Sequence, residues 1–173
     1  KMLYDNAMLL ADYALAARVL GDEAWAGVAT RIADYLLREM RVDGGAFAAA
    51  QDADSPGGEG AFFTWTPAEL EAVLDPGAAA AVMARYGVTP RGNFEGRTIL
   101  HVAGAPDALA AAALPALYEA RAARPAPARD DKVIASWNGL AIGALATAGR
   151  LLGRPDWVQA AREAARFVLD DMV

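Results

Sequence analysis

From Asp5 to about Leu20 apolar residues fall on nearly every face of a predicted helix, among them Ala7, Met8, Leu9, Leu10, Ala14 and Leu15. A helix that is apolar all round belongs in an interior. Gly21 predicts its end and Asp22 the N-cap of the next helix, Glu23 to Met40. There Trp25, Val28, Ile32, Tyr35 and Leu36 form a stripe at helical spacing, with Arg31, Asp34 and Arg38 off it, so one face meets water. The pattern returns when Asn6 is laid on Asn138: Arg18 falls on Arg150, Gly21 on Gly153, Trp25 on Trp157 and Met40 on Met172. An all-round apolar helix followed by an amphipathic one, given twice, predicts two concentric layers of helical hairpins. The expected fold is all-α, part of an (α/α)6 toroid, with hairpins at 5–40 and 136–173. Its inner helices start at one end, so Tyr4, Asn6, Trp137 and Asn138 are expected at a common mouth.

Between the hairpins lies an insertion, 42–128, within what reads as a single domain over 1–173. Two aromatic-bearing runs around a Gly/Pro/Asp-rich loop predict a β-hairpin at 45–65 with an acidic tip. Thr66-Pro67-Ala68-Glu69 is a capping box that starts a short helix to about Leu74, and Asp75-Pro76 starts another that ends near Gly87. Arg91 to Val102 reads as a glycine-flanked turn leading into a strand that holds His101. Pro106 to Arg124 reads as helix with a break at Pro115, and Arg124 to Ala128 as an extended connector.

Composition narrows the function classes. A net charge of −6 argues against nucleic acid and anionic membrane as partners. The absence of cysteine removes disulfides and thiolate sites. The most apolar run, Leu140 to Leu152, is glycine-broken and too short to span a bilayer. No targeting segment is visible and cytoplasm is the expected compartment. The chain reads as a piece of a longer protein, with exposed inner-helix surface to be covered by the rest of that protein or by a homodimer partner.

Candidate chemistry centres on the stretch from Asp130 to Leu140, where acids and a lysine precede an aromatic and amide cluster at a helix start. Its functional reading is a place that holds ligand oxygens on free backbone N–H groups. In its structural reading Ser136 caps the helix, Trp137 packs and the charges are a solvated turn. Asp52, Asp54, Glu95 and Asp131 are candidate catalytic carboxylates, since glycosidic hydrolysis needs an acid and a base or nucleophile across the bond. Epimerisation beside a carbonyl would need a base such as His101, the only histidine. Tyr4, Trp65 and Trp137 are candidates to stack on a sugar ring, and Asn6, Asn93, Asn138 and Lys132 to bond its hydroxyls. Asp52, Asp54 and Glu59 offer oxygen ligands of the kind calcium or magnesium takes, but the spacing departs from an EF-hand loop. No metal and no cofactor is expected.

Four motifs together carry a resemblance over essentially the whole chain: Tyr4-Asp5-Asn6-Ala7; Gln51 to Ser55 with Glu59-Gly60 and Trp65-Thr66; Asn93-Phe94-Glu95-Gly96; and Asp130 to Val133 with Ser136 to Leu140. The sequence resembles the YyaL-type proteins, whose animal relatives are called spermatogenesis-associated. The resemblance implies an (α/α)6 six-hairpin domain similar to N-acylglucosamine 2-epimerases and six-hairpin glycosidases, joined in the family to a thioredoxin-like domain that this chain does not carry. Three functions stay open: a carbohydrate-active enzyme whose carboxylates converge, a sugar- or protein-binding module without turnover, and a structural domain whose motifs lock insertion to barrel.

Overall fold

The computed structural model describes residues 1–172, so the predicted end of the last hairpin at Val173 lies outside the described residues. In chain order the elements are α1 (Leu3–Leu20), α2 (Glu23–Tyr35) running into a π-helical turn (Leu36–Met40), β1 (Ala50–Gln51), β2 (Asp54–Ser55), β3 (Gly58–Glu59), α3 (Pro67–Val73), α4 (Pro76–Tyr86), α5 (Ala108–Ala122), β4 (Arg129–Asp130), α6 (Ala135–Leu151) and α7 (Pro155–Asp171). The protein is mostly helical. It divides into two compact units, one of Lys1–Asp52 with Arg129–Val173 and one of Ala53–Ala128. Among the described residues no helix is long and apolar enough to cross a membrane.

The first unit holds the two helical hairpins. α1 ends at Gly21 in the left-handed region (φ 67°), and Asp22 caps α2 by accepting from the Ala24 N–H at 2.9 Å. α1 packs on α2 and α6, and α6 on α7. Leu3, Leu10, Leu36, Met40, Phe47, Leu145 and Trp157 are fully buried in its core. Each such side chain contributes about 1.5–3 kcal/mol by leaving water. The expectation that α1 is buried on every face is corrected: Leu3, Ala7, Leu10 and Ala14 form one buried stripe, while Met8, Leu9, Leu15 and Val19 are exposed. Ser136 does not cap α6. The N-cap position is Ile134, and Ser136 lies inside the first turn.

The predicted hairpin at 45–65 is also corrected. Its first run does not pair with its second; it threads the first unit as extended chain. Leu3 N–H donates to Ala49 O (2.9 Å), Ala48 N–H to Met40 O (2.8 Å) and Ala49 N–H to Asp130 O (3.0 Å). β1 then pairs antiparallel with β4, matching Ala50 to Asp130 and Gln51 to Arg129. The central link is the Asn138 carboxamide in the first turn of α6. Its Oδ1 accepts from Phe47 N–H at 2.8 Å and its Nδ2 donates to Phe47 O at 3.0 Å. Asn138 is fully buried, and Ala46 to Ala49 are at most 1% exposed. A backbone drawn this deep needs every polar group paired, and small side chains let it approach the helices.

In the second unit only Asp54–Ser55 and Gly58–Glu59 form a hairpin, a two-residue ladder. Thr66 caps α3 in the full capping-box arrangement with Glu69, and Asp75 caps α4. α3, α4 and α5 enclose a core of Trp65, Leu70, Val82, Val88, Ala110 and Leu117. The strand expected after Arg97 is reduced to single bridges, Phe94 with Arg97 and Trp65 with Thr98, so His101 lies outside any strand. α5 runs unbroken through Pro115. Pro115 and the residue one turn before it, Ala111, are both exposed, so the carbonyl that loses its helical donor turns to water.

Two measurements follow from this packing. Asn138→Ala strands the buried N–H and C=O of Phe47 and is expected to lower stability in urea unfolding by about 3 kcal/mol, with Asn6→Ala costing about 1 kcal/mol. An equal cost for the two would contradict the clamp. Pro115→Ala restores a helical hydrogen bond on an open face and is expected to raise stability by about 1–3 kcal/mol in the same assay; a loss would show that the proline is needed.

Candidate functional site

In the first unit the starts of α1 and α6 lie together. Tyr4 and Trp137, both half-buried, meet edge to face with ring centroids 4.8 Å apart. Asn6 donates from Nδ2 to Met2 O at 2.7 Å, and Asn138 repeats this bond to Ile134 O at 3.2 Å. The two asparagines differ in what remains. Asn138 is wholly spent on Phe47 and the α6 backbone, so it offers nothing to a ligand, whereas the half-buried Asn6 uses only its Nδ2 among the described residues. A groove of about 450 Å³ continues from here between α1 and α6, lined by Ala7, Met8, Ala11, Gly139, Leu140 and Gly143 with Asp12 and Thr147 as its polar members. A second cavity, about 520 Å³, opens at the other end of these helices, where Arg18, Asp22, Glu23 and Arg154 line it.

The acidic stretch ahead of α6 is already paired. Arg129 Nε donates to Asp131 Oδ1 at 2.5 Å, while its Nη1 donates to Glu39 O at 2.9 Å. Lys132 Nζ sits 3.1 Å from Asp130 Oδ2. Asp131 remains more than half exposed, and its charge is answered by a guanidinium that also ties β4 to the end of the π-helical turn. Asp52 is exposed at the end of β1, next to Gln51, whose Oε1 accepts from Tyr35 OH at 3.0 Å. Arg41 pairs with Glu163, where the Gln159 and Arg41 hydrogen bonds hold the carboxyl below its usual range.

Asp54, Trp65, Asn93 and Glu95 fall in the second unit. Asp54 is exposed in β2 opposite Glu59. Trp65 does not present a face for a sugar: it is 3% exposed, and the Arg124 guanidinium covers its ring at 4.1 Å. Asn93 closes its own loop, accepting from Ile99 N–H at 2.8 Å and donating to Ile99 O at 3.0 Å. Glu95 is exposed at the turn tip with φ 47°, a left-handed conformation uncommon outside glycine, and carries no bond or ion pair among the described residues. His101 packs on Gly87, where an added Cβ would lie 2.3 Å from its ring, and it contacts Asn93 at 3.3 Å. Among the described residues no group of three or more acidic, histidine or cysteine side chains is gathered as a metal would need.

The second unit also holds a cluster that the sequence reading passed over. Arg97 donates to Thr64 Oγ1 (2.7 Å), Thr64 O (2.9 Å) and Glu69 (2.7 Å). Arg124 donates to Ala61 O, Phe62 O and Thr64 O and lies 3.6 Å from Glu69. Burial works to raise the Glu69 pKa, but the Arg97 hydrogen bond, the Thr66 N–H and both arginine charges outweigh it and hold the carboxyl below its usual value. Burial, with the charges of Arg97 and Arg121, pushes Arg124 down against the opposing pull of Glu69. The available signal was Arg121 and Arg124, one turn apart at the end of a helix, after a glutamate already assigned to a cap.

No family model matches the chain. Over 97% of its length it is 31% identical to Spermatogenesis-associated protein 20 of Homo sapiens, covering 26% of that protein, and 32% identical over the same shares to the protein of that name in Mus musculus. An uncharacterised protein of Caenorhabditis elegans is 29% identical over 99% of the chain and 29% of its own length. The chain thus spans about a quarter of the length of these curated relatives, and nearly all of it is similar to a stretch of proteins named Spermatogenesis-associated protein 20.

Proposed function

We propose that this chain is a segment of a spermatogenesis-associated, YyaL-type protein and forms part of an (α/α)6 six-hairpin domain that handles a carbohydrate, in the manner of sugar epimerases and glycosidases. The observation that carries the reading is the pairing of Tyr4 with Trp137 at the joined starts of two inner helices, with a groove leading away between those helices. An aromatic platform at the head of a groove is what a sugar's apolar face requires. The site within this segment is incomplete, and the rest of the parent protein supplies what closes it. Cytoplasm is the compartment this reading assumes.

A second reading, a binding or structural module without turnover, is favoured by one observation: the Asp131 charge is held by Arg129, which also bonds two backbone carbonyls. A carboxylate engaged in holding a strand is poorly placed to move protons.

Thermal unfolding with monosaccharides and disaccharides at tens of millimolar separates the two readings, because a ligand bound only by the folded form raises the melting temperature by mass action. The expected result is a rise with one sugar class that Trp137→Ala removes. If Asp131→Ala also removes it without lowering the ligand-free melting temperature, the carboxylate belongs to the site. If it leaves the rise intact, the module binds without that group. Indifference to every sugar, in this chain and in the full-length relative, would overturn the carbohydrate reading.

A further inference from the structure

The arginine cluster of the second unit has more positive charge than its fold consumes. Arg97 and Arg124 pair with Glu69, the one carboxylate paired with them among the described residues, and Arg121 adds a third positive charge that Arg124 feels. Their donors are not exhausted. Arg97 Nη1 and Arg124 Nε carry no hydrogen bond among the described residues, and Arg121 meets only the rings of Phe62, Phe63 and Tyr118, at 4.9, 5.5 and 5.1 Å. Arg97 and Arg124 are held in place because both donate to Thr64 O, one from the middle and one from the end of the unit's sequence. Their side chains are 31% and 19% exposed, so the charges sit at the edge of the interior, where water screens them less than at an open surface.

A pocket of about 290 Å³ opens on these groups, walled by Phe62 and Pro125 and floored by Arg97, Arg124 and Glu69. Across it lies the β2–β3 turn, where Ser55 uses its hydroxyl oxygen to accept from Phe62 N–H at 3.2 Å and keeps its own proton to donate. Gly57 and Gly58 follow, with φ near 109° and 106°. Fixed guanidinium forks, a hydroxyl donor and a small volume are what an oxyanion of phosphate size needs. We propose that this pocket is a binding site for a phosphate group, either the free ion or the phosphate of a small organic ester. In a chain of net charge −6 a local surplus of cations is a directed feature and not a general basic character. Arg124 is disfavoured as a cation by burial; Glu69 offsets part of this, and the charges of Arg97 and Arg121 add to it, a repulsion that an incoming anion would lessen.

The test is titration of the isotope-labelled full chain with inorganic phosphate and, separately, with glucose 6-phosphate, at constant ionic strength set by chloride, followed by amide and arginine Nε–H resonances. Saturable shifts confined to Ser55–Ala61, Arg97 and Arg124 are expected. Tighter binding of the ester identifies an organic phosphate as ligand; equal or tighter binding of the inorganic ion identifies phosphate itself. Arg97→Gln should abolish the shifts, and because it also removes the Glu69 pair, Arg121→Gln provides a variant that leaves those hydrogen bonds in place. It is expected to weaken binding about threefold through loss of one nearby charge. Shifts that do not saturate, that scatter over surface arginines such as Arg38 and Arg162, or that Arg121→Gln leaves unchanged would overturn the proposal.

Discussion

The first unit turns on one buried carboxamide. Asn138 sits in the first turn of α6 and grips both polar atoms of a single residue, Phe47, in a chain segment drawn between the helix starts. An amide presents a donor and an acceptor side by side, which is what an isolated peptide unit requires, and no other neutral side chain except glutamine offers the same pair. With water excluded, these bonds are expensive to lose, so the threaded segment has one register and not several. The alanines on either side of Phe47 follow from this: a backbone held against helix termini leaves room for little more than a methyl group.

The helices were legible because their ends are written locally. Gly21 and Gly87 in left-handed caps, Asp22 and Asp75 as N-caps, and the Thr66–Glu69 capping box each announce a boundary within a few residues. The extended segments were not legible, because their partners are far away in sequence. Ala50 finds Asp130, and nothing near Ala50 names it, whereas an aromatic run lies close by in sequence. Pro115 misled for the opposite reason: its local rule is sound, but on an exposed face the helix continues through the proline at a cost and does not break.

For the site, a sequence names the polar and aromatic groups but not what each of them meets in the fold. Asn138 and Trp65 have the groups a sugar uses, yet one serves a peptide and the other a core and a guanidinium. Tyr4, Trp137 and Asn6 keep surface to offer. The arginine cluster escaped because Arg97 and Arg124 meet only through Thr64 and Glu69, a convergence that depends on tertiary folding.

The Asn138 clamp also has a chemical consequence. Asn138 is followed by Gly139, the pairing most prone to spontaneous deamidation in a flexible chain, since glycine leaves its own nitrogen free to attack the asparagine side-chain carbonyl. In the fold the carboxamide is locked onto Phe47, and Gly139 lies within α6, whose ladder occupies that nitrogen's hydrogen. The fold thereby guards its own weakest bond. Once the clamp opens for long enough, conversion to aspartate would put a negative charge in a fully buried position and remove the donor to Phe47 O, so the clamp would not re-form.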